Sequence, residues 1–177
     1  MGNSVEKSLL IVGAGAYAKI AAEIASDMGC FAKIGFVDDK VTESPCGIPV
    51  AGTTRDIDRL AGEYSHIVVA IGDPQVRLTI IDKLLKTTSY CVPSLISPKA
   101  YVSASAKLME GCFVEPMAVV HTDCTLGRGC IVSAGAVMNH TSTCGNGVHL
   151  DCNATVPGYA RVPDGTKVPS GTVYKNA

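Results

Sequence analysis

Apolar side chains recur at every sixth position through the second half of the chain. Ten of the twelve residues at this spacing from Val102 to Val168 are Val or Leu, and the two exceptions, Met138 and Cys144, are also apolar. A six-residue period fits neither an amphipathic helix nor a strand with alternating faces. It predicts short strands that are joined by tight corners, with three hexads in each coil and the repeated apolar residue pointing inward.

A second column with the same period contains small residues. They stand four positions after each apolar residue, and Val148 is the only larger one in the series that begins with Ala106 and Cys112. Small side chains fit the crowded corners of such a coil. The two columns predict an all-β left-handed parallel β-helix of hexapeptide repeats, with about four coils, in residues 91–177.

The first ninety residues follow a different pattern, in which short apolar runs alternate with longer amphipathic segments. The pattern predicts strands over Ser8–Val12, Ile34–Val37 and His66–Ile71, with one helix ending near Met28 and another running from Pro74 to about Leu85. Strands that alternate with helices indicate a small parallel sheet. We therefore expect an α/β Rossmann-like domain in residues 1–90, with the junction near residues 87–95.

Charge and composition restrict the choice of partners and compartment. The formal net charge is −1, which gives no reason to expect nucleic acid or an anionic membrane as a partner. The chain has no apolar run of about 18 residues and no signal-peptide pattern at its start, so we expect a cytoplasmic protein. Its eight cysteines include no CxxC pair, which favours reduced structural thiols over a metal site.

The clearest candidate for chemistry in the first half is a glycine loop. Gly13-Ala14-Gly15, with Ala18 completing a G-x-G-x-x-A pattern, lies between the first strand and the first helix. Glycines let the backbone approach a phosphate, and the amino terminus of the helix attracts its negative charge. Asp38 or Asp39, after the second strand, could accept hydrogen bonds from a ribose or a base edge. The alternative is a tight turn that packs helix on sheet and binds no ligand.

Three histidines are the candidates in the β-helix. His121, His140 and His149 stand outside both inward-facing columns, so all three should lie on the outside of the coils. An exposed histidine can take up a proton at neutral pH, as a general base must. The alternative for each is a solvated surface residue. Stacking by eighteen residues places His121 beside Asn139 rather than beside another histidine.

The whole chain resembles a family of bacterial sugar O- and N-acyltransferases. Members include sialic-acid O-acetyltransferases and the N-acetyltransferases of UDP-linked 4-amino sugars. In the first half the resemblance lies in Ile11-Val12-Gly13-Ala14-Gly15, in Ile34-Gly35-Phe36-Val37-Asp38-Asp39, and in Ala70-Ile71-Gly72-Asp73 with Arg77. In the hexads it lies in Gly135-Ala136-Val137-Met138-Asn139-His140 and in Val148-His149-Leu150.

The resemblance implies a homotrimer that holds acetyl-CoA in clefts between neighbouring β-helices, without a metal ion. His140 would be the general base, the backbone N–H of Gly158 would meet the thioester carbonyl, and His149 would lie near the coenzyme. The first domain would bind the nucleotide part of a nucleotide-activated sugar. The residues implied in that site are Gly13, Ala14, Gly15, Asp38, Asp39, Gly72 and Asp73.

Several departures from the family pattern keep other functions open. The family has an acidic residue where this chain has Thr141, Gly-His where it has Ala16-Tyr17, and in some members Asn where it has Ser133. Its β-helix is also one to two coils longer. The leading hypothesis is acetyl transfer from acetyl-CoA to a UDP-linked amino sugar.

Three alternatives remain. The first is a sialic-acid-type O-acetyltransferase, and the second is a non-catalytic sugar-nucleotide-binding or assembly subunit. The third is an enzyme of another class. A nicotinamide oxidoreductase would lack a second catalytic domain, and a β-helical zinc hydratase would need a different histidine spacing.

Overall fold

The computed structural model describes residues 6–43 and 45–175. The first half contains a four-stranded parallel sheet in the order β3-β2-β1-β4. Two short 3₁₀ turns, Pro45–Gly47 and Thr54–Asp56, flank β3. The elements are β1 (Ser8–Val12), α1 (Ala16–Asp27), β2 (Lys33–Val37), β3 (Val50–Gly52), α2 (Ile57–Leu60), β4 (His66–Val69) and α3 (Pro74–Thr87).

The sheet is covered by helices on both faces, which explains why its strands are apolar throughout. The small residues Ala18, Ala21 and Ala25 of α1 pack against one face. The other face is covered by α2 and α3, and it also receives Tyr90 and Val92 from the segment that follows α3. Because these two residues belong to the core of the sheet domain, the division into residues 1–90 and 91–177 stays a prediction.

The second half consists of two-residue strands that form three parallel sheets around a closed apolar core. We name them the domain-facing sheet, the second sheet and the third sheet. The domain-facing sheet contains β5 (Leu95–Ile96), β8 (Phe113–Val114), β11 (Ile131–Val132), β14 (His149–Leu150) and β17 (Lys167–Val168). The second sheet contains β6 (Tyr101–Val102), β9 (Val119–Val120), β12 (Val137–Met138) and β15 (Thr155–Val156). The third sheet contains β7 (Lys107–Leu108), β10 (Thr125–Leu126), β13 (Thr143–Cys144) and β16 (Arg161–Val162).

The two sequence columns fill this core as predicted, and the left-handed β-helix is confirmed. Residues eighteen positions apart stack on successive coils, as the pairing of Val114 with Val132 and of Val132 with Leu150 shows. The small column is buried along most of its length, from Cys112 to Ala160. Burying one Val or Leu side chain stabilises a fold by about 1.5–3 kcal/mol, so a repeated column is a strong determinant of the fold.

The corners of the coils require left-handed backbone at one position in each hexad. Glycine supplies it at several corners, but other residues adopt it too, with φ between 57° and 62°. This conformation is least favourable for a β-branched residue such as Thr141, whose φ is 60°. The other non-glycine corner residues of the β-helix are Met117, Asp123, Asn153 and Tyr159.

The sheet domain and the β-helix share an interface with an apolar and a polar part. Phe113 and Ile131 point outward from the domain-facing sheet and join the core beneath α1. Arg77 of α3 has no exposed surface, and its guanidinium donates to the carbonyls of Gly129 and Gly147 in the β-helix. It also donates to the carbonyls of Ile71 and Gly72, which follow β4. Burial lowers the pKa of Arg77, and these carbonyl contacts hold the charge in place.

Candidate active site

The glycine loop forms a tight connection between β1 and α1. Gly13 has φ 99°, and a side chain there would begin 3.1 Å from the carbonyl oxygen of Ala70. Gly15 precedes α1 without a side-chain cap, and the space beside it is open. The first N–H groups of a helix have no partner within the helix, so this end of α1 can receive an anion.

Asp38 and Asp39 have different positions, although they are neighbours in the chain. The Asp38 carboxylate accepts the N–H of Ala14 at 2.8 Å and the N–H groups of Lys40 and Val41. Burial opposes its ionisation, but these hydrogen bonds prevail and lower the pKa of Asp38. Asp39 accepts the N–H and hydroxyl of Thr54, each at 2.9 Å. Asp38 therefore holds the glycine loop, and Asp39 lies on the rim of the adjoining groove.

This groove runs between α2 and α3 and has a volume of about 470 Å³. Its walls are apolar and its rim is polar, as in many small-molecule sites. Between its lining residues Ile71 and Val76, Asp73 caps α3 by accepting the N–H of Val76 at 2.9 Å, and the Gly72 carbonyl accepts from Arg77. The apolar lining residues are Ile57, Ile71, Val76, Ile80 and Leu84.

His140 lies on an exposed corner after β12, within an aromatic column made of Tyr101, His121, His140 and Tyr159. Its ring meets that of Tyr159 edge to face, with centroids 5.2 Å apart. Its Nδ1 lies 3.4 Å from the Thr141 hydroxyl, and its backbone N–H donates to the Asn139 side chain. The imidazole is thus placed by its neighbours while it remains open to a substrate.

Gly158 lies directly beneath this ring. A Cβ atom at position 158 would stand 3.1 Å from both Cε1 and Nε2 of His140. The φ of Gly158 lies outside the left-handed region, so the close approach of the imidazole, rather than the backbone conformation, is what favours glycine here.

The expectation that His121 has no histidine neighbour is wrong. The backbone follows the predicted stacking, because the N–H of His121 donates to Met138 and places His121 level with Asn139. The ring of His121, however, lies 6.4 Å from the ring of His140. Coils are only about 4.8 Å apart, so rings that project from the same edge reach across to the next position.

His149 lies outside the coil, as predicted, but it is half-buried and on a different sheet from His140. Its Nε2 is 3.0 Å from the Ser133 hydroxyl. Burial lowers the pKa of His149, and the nearby Lys167 lowers it further. The structure therefore brings His149 together with Ser133, and it brings His140 together with Gly158.

Two polar residues beside Ser133 were missed by the sequence reasoning. Glu115 is buried, and Tyr17 is half-buried with a buried hydroxyl, where α1 meets the β-helix, and burial raises the pKa of each. A signal for Glu115 was present, because it stands eighteen residues before Ser133 and thus one coil below it. Tyr17 gave no such signal, since its neighbours depend on how the two halves dock.

Within the part of the chain that the structure describes, no helix is both long and apolar enough to cross a bilayer. In residues 6–43 and 45–175, no group of three or more His, Cys, Asp and Glu side chains is arranged to hold a metal ion.

Comparison with protein families gives two matches, one in each half of the chain. Residues 8–84 match the PglD N-terminal domain, and residues 105–140 match the bacterial transferase hexapeptide with six repeats. A comparison with curated proteins gave no match.

Solved structures match over nearly the whole chain. The acetyltransferase domain of PglB from Neisseria gonorrhoeae, in complex with acetyl coenzyme A, is 32% identical with a TM-score of 0.91. The match covers 95% of this chain and 82% of that one. A mutant of perosamine N-acetyltransferase from Caulobacter crescentus, in complex with CoA and GDP-perosamine, is 26% identical with a TM-score of 0.73, over 95% of this chain and 88% of that one.

These matches and the fold define an acyltransferase of the hexapeptide-repeat class. More narrowly, the chain belongs to the bacterial sugar acetyltransferases that join a PglD-type N-terminal domain to a left-handed β-helix.

Proposed function

We propose that this protein transfers the acetyl group of acetyl-CoA to the amino group of a UDP-linked amino sugar, with His140 as the general base. The observation that carries the proposal is the position of His140 over Gly158 on an exposed corner of the β-helix. The relatives support the two substrates, since one is in complex with acetyl coenzyme A and another with CoA and a nucleotide-linked sugar.

The proposed acetyl transfer uses His140 and Gly158 at this corner. Nε2 of His140 takes a proton from the attacking amine, and the amine forms a bond with the thioester carbonyl carbon. Negative charge then develops on the carbonyl oxygen, and the N–H of Gly158 is the proposed donor to it. In residues 6–43 and 45–175, no backbone acceptor is hydrogen-bonded to that N–H. The C–S bond breaks, and the coenzyme leaves as a thiol after it has received the proton from His140.

The sugar nucleotide is proposed to bind the sheet domain in the first half of the chain. Its diphosphate would lie at Gly13, Ala14 and Gly15, and its base would enter the groove behind Asp39. Asp38 would keep the loop in shape, and Gly72 and Asp73 would line the entrance of the groove.

A second copy of the chain completes this arrangement. Ser133 follows β11 of the domain-facing sheet and His140 follows β12, so the second sheet lies between the two residues. A sugar held near Ser133 is therefore one face of the β-helix away from His140 of the same protomer. We infer a homotrimer in which acetyl-CoA lies between neighbouring β-helices, with His149 near the coenzyme. Its eight cysteines are free thiols, which fits the proposed cytoplasmic location.

Calorimetry and an acetylation assay test the proposal together. Wild type should bind acetyl-CoA and acetylate a UDP-linked 4-amino sugar, and the GDP-linked sugar should be the poorer acceptor. His140→Ala should lose turnover by about 10²–10⁴-fold while it retains coenzyme binding. His66→Ala is the matched control, because His66 lies in β4 of the sheet domain.

The alternative functions predict other outcomes. Acetylation of a sialic acid in place of the amino sugar would favour the O-acetyltransferase. Absence of coenzyme binding at millimolar acetyl-CoA, by a folded trimer, would refute the proposal and favour a non-catalytic subunit. The observation that favours this second candidate is the partner of His140, whose Nδ1 lies 3.4 Å from the Thr141 hydroxyl, at the position where the family has an acidic residue.

A further inference from the structure

Three polar residues occupy the same position on successive coils at one edge of the domain-facing sheet. Glu115, Ser133 and Asp151 each follow a strand of that sheet and are eighteen residues apart. Glu115 is 6% exposed and Ser133 is 4% exposed, so this polar edge is covered by the sheet domain rather than by solvent. Asp151 is paired with Lys167 at 3.0 Å.

Glu115 has no such cation. Its carboxylate accepts the N–H of Ala134 at 3.0 Å, and within residues 6–43 and 45–175 it forms no ion pair. Arg77 is the nearest buried cation in this region, but its donors are occupied by four carbonyl groups. A carboxylate that is buried without a positive partner is costly, and burial accordingly raises the pKa of Glu115.

The hydroxyl group of Tyr17 is the second buried group here whose hydrogen bonding is incomplete. It is buried beside the Glu115 carboxylate and interacts with it, yet it has no partner at normal hydrogen-bond geometry in the described structure. The ring of Tyr17 is held edge-on against Phe113, with centroids 5.4 Å apart, so the hydroxyl is fixed in place. A buried hydroxyl that lacks a partner usually costs about 1–3 kcal/mol, unless a ligand supplies the missing contact.

The position of Tyr17 connects these groups to the glycine loop. Tyr17 is the second residue of α1, and Gly15 of the loop caps that helix. A phosphate bound at this helix end would therefore carry its attached sugar toward Tyr17, Glu115 and Ser133.

We propose that Glu115 and Tyr17 bind the protonated amino group of the acceptor sugar and make the protein select an amine over a hydroxyl. The Glu115 carboxylate takes one proton from the ammonium group, and the neutral amine that results is the group that attacks the thioester and then gives a proton to His140. An ammonium group has three N–H donors and a positive charge. The carboxylate, the phenol oxygen and the Ser133 hydroxyl can each accept a hydrogen bond from it, and the carboxylate also pairs with its charge. A sugar hydroxyl brings one donor and no charge. The inference rests on the proposed function, because it requires the nucleotide sugar to bind at the loop.

Calorimetry at pH 7 with two acceptors tests this proposal. The probes are a UDP-linked 4-amino sugar and the same UDP-sugar with a hydroxyl at that carbon. Wild type should bind the amino sugar about ten- to a hundredfold more tightly, as expected for hydrogen bonds to a charged group. In Glu115→Gln this ratio should fall to nearly one, whereas Glu23→Gln, on the exposed side of α1, should leave it unchanged.

Tyr17→Phe separates a ligand-binding role from a structural one. Because the hydroxyl makes no hydrogen bond of normal geometry in the free protein, its removal should change the melting temperature little, but it should weaken binding of the amino sugar several-fold. Equal affinity of wild type for both sugars would overturn the inference and leave the proposed function standing. Failure of both UDP-sugars and their GDP counterparts to bind would overturn the two together.

Discussion

The imidazole of His140 rests on Gly158, which lies one coil further along the β-helix, and a side chain at position 158 would crowd the ring. Gly158→Ala would place a Cβ atom 3.1 Å from the ring, so the ring must move by a few tenths of an ångström. We expect kcat to fall about tenfold with little change in stability, since a misplaced catalytic group is costly even over short distances. Steady-state kinetics measure the change in kcat. Gly62→Ala is the control, because a Cβ there meets nothing closer than 4.0 Å. Unchanged kcat in Gly158→Ala would contradict the assigned contact.

Thr141 carries backbone strain that a substitution can release. It is β-branched and has φ 60°, a conformation that costs an ordinary residue about 1–2 kcal/mol. Asparagine tolerates this region, so Thr141→Asn should raise the free energy of unfolding by about 1 kcal/mol. Thr143→Asn, in the strand β13, should give no gain. Denaturant unfolding at one protein concentration compares the two, and equal stabilities would show that Thr141 is not strained.

Arg77 should be the residue whose loss destabilises the molecule most. Arg77→Met leaves four carbonyl groups without their donor, and we expect the free energy of unfolding to fall by about 3–5 kcal/mol. Arg59→Met removes only an exposed pair with Asp56 and should cost less than about 0.5 kcal/mol. Similar losses in the two variants would refute the role of Arg77.

The pH dependence of stability should report the half-buried His149. Its pKa is lowered in the folded protein, chiefly by burial and then by Lys167, so protonation favours the unfolded chain. The resulting stability is complete above the ordinary pKa of 6.5 and is lost as the pH falls through the lower folded value. Between pH 7 and pH 5, wild type should therefore lose more stability than His149→Gln. Parallel curves from urea unfolding would argue against this assignment.

The β-helix could be predicted from the sequence because each inward position repeats, so that many residues give independent evidence for one geometry. Val114, Val132 and Leu150 report the same environment three times. Strand β3 and helix α2 have only three and four residues, too few to show a period, and the sequence did not reveal them. The glycine loop depends on local sequence, and its position between β1 and α1 was predicted, while its role in binding stays a prediction. The contact of Tyr17 with Glu115 depends on the docking of two halves, which no local pattern records.

The hydrogen bonds of Arg77 to the β-helix also limit where the number of coils can change. The carbonyl partners of Arg77 in the β-helix are Gly129 and Gly147, and the apolar contacts with the sheet domain lie at Leu95, Phe113 and Ile131 on the same or earlier coils. The coil that ends with Lys167–Val168 lies beyond that attachment. Whole eighteen-residue units could therefore be inserted or deleted there, by gene duplication or by design, while the nucleotide loop keeps its alignment with the polar edge below it. The β-helix can therefore change in length at its carboxy-terminal end, whereas the coils that contact the sheet domain must keep their number and register.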